Sequence, residues 1–401
     1  MEGIAKINAK KTVAVVSRFV GEHFSELLKG VSEYAREHGN YIVLRVLSSQ
    51  LENRTYPFTG FDGIISDSMP RDETKKLAET GLPIVDLSGE MYDDPAFISV
   101  NCDIAKIGKM AAERFLQRGF RNFAYYGVSG HSDSKALGDA FAAELAKAGF
   151  GCSVMRRDFT RQKESKKAFR EWIANLPRRT AILCLNDSIA QTALTACLAT
   201  DRKVPDDIAV MGTLNQISLC SCTPITLSSI DINYRRLGYT AMRILASAIE
   251  HPVKPKIRPV FLVPPLGIVE RESTAAYPVD PPWLAKALSL LDNNMGAALS
   301  VADLADAAGV SQPTLQTAIR KAFGMSAAKY IMSVKMREAR QLIEEGKLSI
   351  KEIAYRIGFS SQSYFCHAYQ SYYGLPPSLD HLSRSVGNRC DKAVQGEKGN
   401  P

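Results

Sequence analysis

Between Thr12 and about Val269, short apolar runs alternate with segments of helical spacing, and after a cluster of prolines the alternation stops. TVAVV (12–16), YIVLRVL (41–47), GIIS (63–66), PIVDL (83–87), FAYYG (123–127), AILCL (181–185) and IAVMG (208–212) read as buried strands. Residues 24–37, 107–118, 137–148 and 187–199 carry apolar side chains at helical spacing between them. Strands that alternate with helices predict an α/β fold, with parallel sheets covered by helices on both faces. More than 250 residues of this pattern is large for one sheet and predicts two lobes. In such sheets a ligand binds beyond the carboxyl ends of the strands.

Pro278, Pro281 and Pro282 then break any regular element, so 273–283 reads as a linker after a 12–272 α/β part. From 284 to 384 the spacing is helical throughout, giving an all-α domain, and 385–401 is polar and aperiodic like a disordered tail. The helical part repeats itself. Ser300-Val-Ala-Asp303 and Ser349-Ile-Lys-Glu352 both read as capping boxes, at an offset of 49 residues. Leu304-Ala305 matches Ile353-Ala354 and Gly309 matches Gly358, where a tight turn wants positive φ. Ser311 matches Ser360, each placed to cap the next helix. From there the offset becomes 50, with Leu315 matching Phe365, Ile319 matching Tyr369, and Gly324 matching Gly374. Caps, glycine and core positions repeating in order predict two helix-turn-helix units, at 300–324 and 349–374, spaced by a linker helix at 326–345.

Other function classes find less support. No run of about 18 apolar residues suggests a membrane span, and MEGIAKINAKKTVAVV lacks the apolar core and cleavage site of a secretory signal. The eight cysteines are scattered, and only Cys220 and Cys222 lie close, a spacing that suits neither zinc nor a disulfide framework. The expectation is a cytoplasmic protein with reduced thiols and no metal or cofactor. There is no Ser-x-x-Lys, Gly-x-Ser-x-Gly, P-loop or HExxH motif, so an enzyme is not expected. Half of the formal net charge of +8 falls from Trp283 onward, a weak pointer to nucleic acid.

The C-terminal hundred residues resemble the AraC-type regulators. The resemblance is carried by the paired units, by Lys335, Met336, Ala339 and Leu342-Ile343 on the linker helix, and by the GFS…YF…Y…YYG ending. It implies double-stranded operator DNA as partner. By position in the family motif, base-facing residues are Gln312, Pro313, Gln316 and Thr317 in the first unit, and Ser361, Gln362, Ser363, Cys366 and His367 in the second. Arg320, Lys321, Lys335, Arg337 and Arg340 are candidates for phosphate contact. Family members carry arginine at His367 and lysines at Gln370 and Ser371, so the second unit departs toward neutral residues. It either reads bases through neutral donors or serves as a positioning or polymerase-facing surface. Its aromatics, Tyr364, Phe365, Tyr369, Tyr372 and Tyr373, are expected mostly in the small core.

Residues 12–272 resemble the LacI-type, periplasmic-binding-protein-like effector domain. The carrying phrases include FSELLKGVSEYAREHG (24–39), FDGIISD (61–67), MAAERFLQRGFRNFAYYG (110–127), LNDSIAQTAL (185–194) and VPDDIAVMG (204–212). The resemblance implies two lobes crossed near 101–104, 228–232 and 258–262, with a small-molecule effector between them. LacI-type proteins carry their DNA unit in front; nothing before Thr12 reads as one. The combined layout is that of the xylose-operon regulators, which implies a ligand-responsive activator of carbohydrate-related genes, with a repressor as the alternative, a homodimer and contact with RNA polymerase.

The effector candidates are Ser17, Arg18, His23, Phe24, Ser66, Asp67, Ile104, Leu137, Asn186, Asp187 and Leu214. Phe24, Ile104, Leu137 and Leu214 stand where sugar-binding members carry polar anchors, with Lys135, Asp139 or Asn215 as substitutes. The expectation is therefore a ligand less polar than a free pentose, or a pocket that no longer binds free sugar. Asn186-Asp187 fits a helix cap as well as a ligand contact. His23 is expected to pack or face solvent, since no partner is evident.

Overall fold

The computed structural model describes residues 10–18, 21–48, 58–158, 160, 162–251, 260–297 and 299–379, so the expected tail at 385–401 lies outside the described residues. The chain begins with β1 (Lys11–Ser17), α1 (Glu22–His38), β2 (Tyr41–Leu47), β3 (Gly63–Asp67), α2 (Arg71–Leu77), β4 (Ile84–Asp86) and β5 (Phe97–Cys102). It continues through α3 (Ile104–Arg118), β6 (Asn122–Val128), α4 (Ser132–Lys147), β7 (Ser153–Arg157), α5 (Gln162–Asn175) and β8 (Thr180–Cys184). Then follow α6 (Asp187–Ala199), β9 (Ile208–Thr213), α7 (Ile217–Ser221), β10 (Ser228–Asp231), α8 (Tyr234–Glu250), β11 (Val260–Val263) and β12 (Gly267–Val269).

The strands form two six-stranded sheets, ordered β11-β5-β4-β3-β1-β2 in lobe 1 and β12-β10-β9-β8-β6-β7 in lobe 2. The lobe 1 pairs are parallel. Lobe 2 is parallel except for β12, which runs antiparallel to β10, a departure from the all-parallel expectation. The chain enters β12 directly from the other lobe with no helix to reverse it, so it arrives in the opposite sense.

The lobes are crossed three times. After β5 the chain enters α3, whose Ile107, Ala111 and Phe115 pack with Phe123 and Phe141 of lobe 2. After β10 it returns through α8, whose Leu237, Met242 and Leu245 join Phe24 and Leu27 in lobe 1. The third crossing lies between Val263 and Gly267, a few residues beyond the expected 258–262. Helices α1 and α8 meet at two glycines. A Cβ on Gly238 would sit 2.1 Å from the Leu27 carbonyl oxygen, and one on Gly30 would sit 1.8 Å from that of Arg235.

The helical region comprises α9 (Pro282–Asn293), α10 (Val301–Ala308), α11 (Gln312–Phe323), α12 (Ala327–Glu345), α13 (Ile350–Arg356) and α14 (Gln362–Tyr373). Both capping boxes close, Ser300 with Asp303 and Ser349 with Glu352. Gly309 and Gly358 take φ of 68° and 77° in the paired turns. The cap of α14 is Ser361, not the expected Ser360, so the extra residue already lies in the turn. Two cores result: Leu304, Leu315 and Ile319 pack with α9 and the first half of α12, while Met336, Ile343, Ile353, Phe365 and Tyr369 form the second. Tyr364 and Tyr372 are 59% and 46% exposed, so they do not serve that core as expected.

Part of the stretch expected as a linker is buried. Ser273, Thr274, Tyr277 and Val279 are all below one-tenth exposed. Ser273 donates to the Val210 carbonyl at 2.6 Å inside lobe 2, and Asp280 pairs with Arg179 at 2.6 Å. On α3, Arg114 and Arg118 both reach Glu270, and Arg118 reaches Asp292 of α9 at 2.8 Å. Pro281 caps α9 and Pro282 opens it, so these prolines start a helix instead of breaking one, and the chain before them is held because its apolar and hydroxyl side chains find partners on both sides.

Gly238→Ala is expected to lower stability by about 2 kcal/mol or more, since two helix backbones must part to admit the methyl group. The check is urea unfolding of both chains; an unchanged midpoint would mean that the α1–α8 contact adjusts without cost.

Candidate functional site

The carboxyl ends of the lobe 1 strands carry a connected set of serines and aspartates. The parallel register of β1 and β3 sets Ser17 beside Asp67, and the Ser17 hydroxyl donates to Asp67 Oδ2 at 3.1 Å. Ser66 donates to Asp86 Oδ1 at 2.9 Å, and Ser88 donates to both Asp86 oxygens. Ser17, Ser66, Asp67 and Asp86 are buried. Burial pushes the Asp67 carboxyl up to about 6, and the nearby Asp86 charge adds to the rise. Burial also raises Asp86, against the pull of the Ser66 and Ser88 hydrogen bonds.

Lobe 2 supplies the opposite wall. Asp133, in the first turn of α4, is pushed up to about 6 by burial and then by the charges of Glu90 and Asp86 across the gap. Cys102, at the end of β5, is raised by burial and next by Asp133 and Asp67. Tyr234, at the start of α8, is raised by burial and next by Asp67. Asp67, Asp86, Cys102, Asp133 and Tyr234 therefore form one connected set of electrostatic neighbours, where two crossings leave the strand ends. Among the described residues, no group of three or more His, Cys, Asp or Glu side chains is placed to hold a metal ion.

The lobes touch on both sides of this space. Ser132 donates to Glu90 at 2.5 Å on one side. On the other, Glu22 accepts from the Ser218 amide and hydroxyl at 3.1 and 2.9 Å, and the His23 ring meets Gln216 Nε2 at 3.1 Å. The loop that presents Gln216 is strained: Leu214 and Asn215 take φ of 95° and 50°, a region that side chains other than glycine rarely adopt. Asp187 holds it there, accepting from the Gln216 amide at 2.7 Å and the Ser229 hydroxyl at 2.6 Å.

The structure brings together Ser17, Ser66 and Asp67 of the sequence candidates, sets His23 at the contact between the lobes, and redistributes the others. Phe24 is 1% exposed in the lobe 1 core and Leu137 is 4% exposed in the lobe 2 core, so both expectations of a ligand contact are corrected to packing. Ile104 and Leu214 are partly buried against that same lobe 2 core. Arg18 is exposed and lies 3.9 Å from Glu73. Asn186 caps α6, accepting from the Ile189 amide at 2.9 Å, and Asp187 is fully buried in fixing its loop. Lys135 and Asp139 pair with each other on an exposed helix face. His23 does have partners, Gln216 and the Tyr234 ring at 5.3 Å, and burial lowers its pKa. Asp86 was missed although it ends β4 as Asp67 ends β3, a signal that was available. Glu90, Asp133, Gln216 and Tyr234 reach the space from loops and helix starts, which no spacing announces. The side chains gathered at these strand ends are thus acidic rather than apolar.

The second candidate site is the outer face of the helix-turn-helix units. In α11, Leu315, Ala318 and Ile319 point inward, which leaves Gln312, Pro313, Gln316, Thr317, Arg320 and Lys321 exposed. In α14, Gln362, Ser363 and His367 are exposed, and Cys366 is half-buried against the core. The Ser361 hydroxyl is occupied as a cap, accepting from the Tyr364 amide at 3.3 Å. Three expected phosphate contacts point the wrong way. Lys335 is 7% exposed, with its ammonium 3.4 Å from the Gly358 carbonyl oxygen and its pKa lowered by burial. Arg337 donates to the Ser333 carbonyl at 3.3 Å and is lowered by burial and by Arg114. Arg340 stacks 4.4 Å over the Tyr373 ring. Exposed cations remain at Arg320, Lys321, Lys329, Lys347, Lys351 and Arg356.

Comparison with known proteins gives two family matches, a periplasmic binding protein-like domain over residues 112–274 and a helix-turn-helix domain over 304–379. The chain is 26% identical over 325 residues to the xylose operon regulatory protein of Escherichia coli (strain K12), covering 79% of this chain and 82% of the relative. It is 27% identical over 260 residues to the transcriptional repressor PurR of Photobacterium profundum, covering 61% of this chain and 76% of the relative. Among solved structures it is similar to the xylose-binding transcription activator xylR, with a TM-score of 0.59 at 22% identity over 93% of this chain and 98% of that one.

The buried Asp67 has a sign that can be tested. Its folded carboxyl, at about 6 against an ordinary 3.8, binds a proton more tightly than in the unfolded chain. Its contribution to stability is present below about pH 4 and lost as pH rises through about 6. Asp67→Asn should flatten that fall by up to about 3 kcal/mol, near 1.4 kcal/mol per unit. Urea midpoints of both chains from about pH 4 to 7 check this; parallel curves would show that Asp67 is not held as described.

Proposed function

We propose that this transcription regulator, a periplasmic-binding-protein-like sensor joined to an AraC-type helix-turn-helix domain in the layout of the xylose operon regulators, responds to a free sugar or close derivative held in its acidic cleft. The observation that carries this is the ring of Asp67, Asp86, Glu90 and Asp133 around the strand ends. Ionised carboxylates only accept hydrogen bonds, and each has acceptor capacity beyond the serine hydroxyl it already meets. A ligand rich in hydroxyl donors satisfies several at once, whereas an apolar ligand would desolvate them without return. The names of two similar proteins, a xylose operon regulatory protein and a xylose-binding activator, favour a pentose.

Ligand would bridge the lobes and favour the closed arrangement, and only a difference in affinity between open and closed states can control DNA binding. On DNA, Gln312, Gln316 and Thr317 of α11 read base edges, and Arg320 and Lys321 contact phosphates. Gln362, Ser363 and His367 of α14 face the second groove with little charge, as a weak reader or as a surface for RNA polymerase. The protein works in the cytoplasm as a homodimer that presents two such domains to two half-sites.

The test is thermal unfolding of the full chain with D-xylose and other free sugars, beside less polar glycosides. A ligand at a hundred times its dissociation constant adds about 2.7 kcal/mol, and Asp86→Asn should abolish the shift. No shift with any free sugar would overturn the reading. On DNA, Gln316→Ala should relax sequence choice more than it weakens binding to random duplex, as competition assays would report. Arg320→Ala should lower the salt slope of binding by about one, and Lys335→Met should leave it unchanged because that ammonium is buried. Equal effects of the two would mean that Lys335 reaches phosphate.

A further inference from the structure

We propose that lobe 2 and the helix-turn-helix region move as one rigid body, with α3 as the strut that joins the effector cleft to the DNA-binding domain. Both ends of α3 are anchored. At its start, Asp103 donates its amide to the Val263 carbonyl of lobe 1 at 2.9 Å and caps the helix by accepting from the Lys106 amide at 3.0 Å. The preceding Cys102 lies among the cleft carboxylates, and its thiol is 3.9 Å from the Ile232 carbonyl oxygen of the second crossing. At its far end, about 22 Å away for 15 residues at 1.5 Å each, the helix meets the DNA-binding domain.

That far end is an ionic cluster rather than a tether. Arg114 and Arg118 grip Glu270, which follows the third crossing, and Arg118 also pairs with Asp292 of α9 at 2.8 Å. The Arg118 guanidinium lies 4.6 Å over the Tyr277 ring, whose hydroxyl donates to Asp292 at 2.6 Å. Two contacts reach past α9. Tyr330 of α12 donates to the Gln117 carbonyl at 3.4 Å, and Arg121 donates to the Ala322 carbonyl near the end of α11 at 2.5 Å. Burial would raise the Glu270 carboxyl, but the two arginines outweigh it and hold it near 2, so the pairs stay charged. Charged pairs removed from water hold only where their geometry is kept, so the cluster fixes one orientation.

These anchors, and the Arg179–Asp280 pair, all leave the sensor from lobe 2. Closing the cleft then moves lobe 1 against a combined body of lobe 2 and DNA-binding domain. The domain does not swing on the proline stretch, and the state of the cleft reaches it along α3. This holds whichever ligand fills the cleft.

The test is hydrogen exchange of the full chain, read by mass spectrometry, with Arg118→Met and Asp292→Asn from the two sides of the cluster. In the wild type, residues 273–279 and α9 should exchange as slowly as a packed element. Each variant should speed them at least tenfold while β8 and β9 keep their wild-type rates. If Arg118→Met also loosens β8 and β9, Asp292→Asn, which leaves lobe 2 intact, decides. A random-sequence duplex at low salt should slow exchange in α3 severalfold in the wild type and not in Asp292→Asn, whose affinity for that duplex should stay within about twofold, because coupling between sites is reciprocal. Residues 273–279 exchanging like an unstructured chain, rates indifferent to Asp292→Asn, or an α3 that ignores bound duplex would each overturn the inference. None of these readouts involves a sugar, so they fail or succeed apart from the choice of effector.

Discussion

Two arginines one helical turn apart, Arg114 and Arg118, hold together segments that lie far apart in sequence: a sensor helix, the residue after the third crossing, and the first helix of the DNA-binding domain. Such a cluster adds little net stability, because removing charges from water offsets most of their attraction. It is nevertheless costly to break, since losing one partner strands the others at roughly 3–5 kcal/mol. What it supplies is a single permitted geometry. The second lobe, the buried 273–279 stretch and the first helix-turn-helix core are placed relative to one another by it.

The cleft follows a different logic. Parallel strands all deliver their carboxyl ends to one side, so Asp67 and Asp86 arrive together because the sheet order places β3 next to β4. Three crossings then bring lobe 2 over the same ends, and Asp133 and Glu90 face each other across the gap. Like charges stand on both walls, while Ser132–Glu90, Glu22–Ser218 and His23–Gln216 join the lobes on either side.

Much of the fold was legible in the sequence because it rests on local rules. Period, caps and glycine turns announced the α/β sensor, the doubled helix-turn-helix and the exposed face of α11, where Leu315 and Ile319 fix which residues point out. The acidic set proposed as the cleft was legible only where strand ends carry it, as at Ser17, Ser66 and Asp67. Asp133 and Gln216 come from the facing lobe, and only tertiary packing shows that they arrive. Long cations misled most. Lys335 and Arg337 look like phosphate contacts on a helix, yet an aliphatic stem can carry the charge inward to a carbonyl, and sequence spacing does not say which way it turns. Tyr364 and Tyr372 misled in the opposite sense, since their neighbours Phe365 and Tyr369 already fill the small second core.

The buried stretch around Tyr277 and Val279 also bears on how such proteins recombine. A cut at Pro278 looks like the natural seam for joining this sensor to another DNA-binding domain, since composition changes there. The true seam is a surface: Gly119, Glu270 and the arginines on one side, Val279, Asp292 and Phe323 on the other. A hybrid that replaces one side alone strands the charges of the other, so a cut that preserves this surface must carry α3 with the domain it serves.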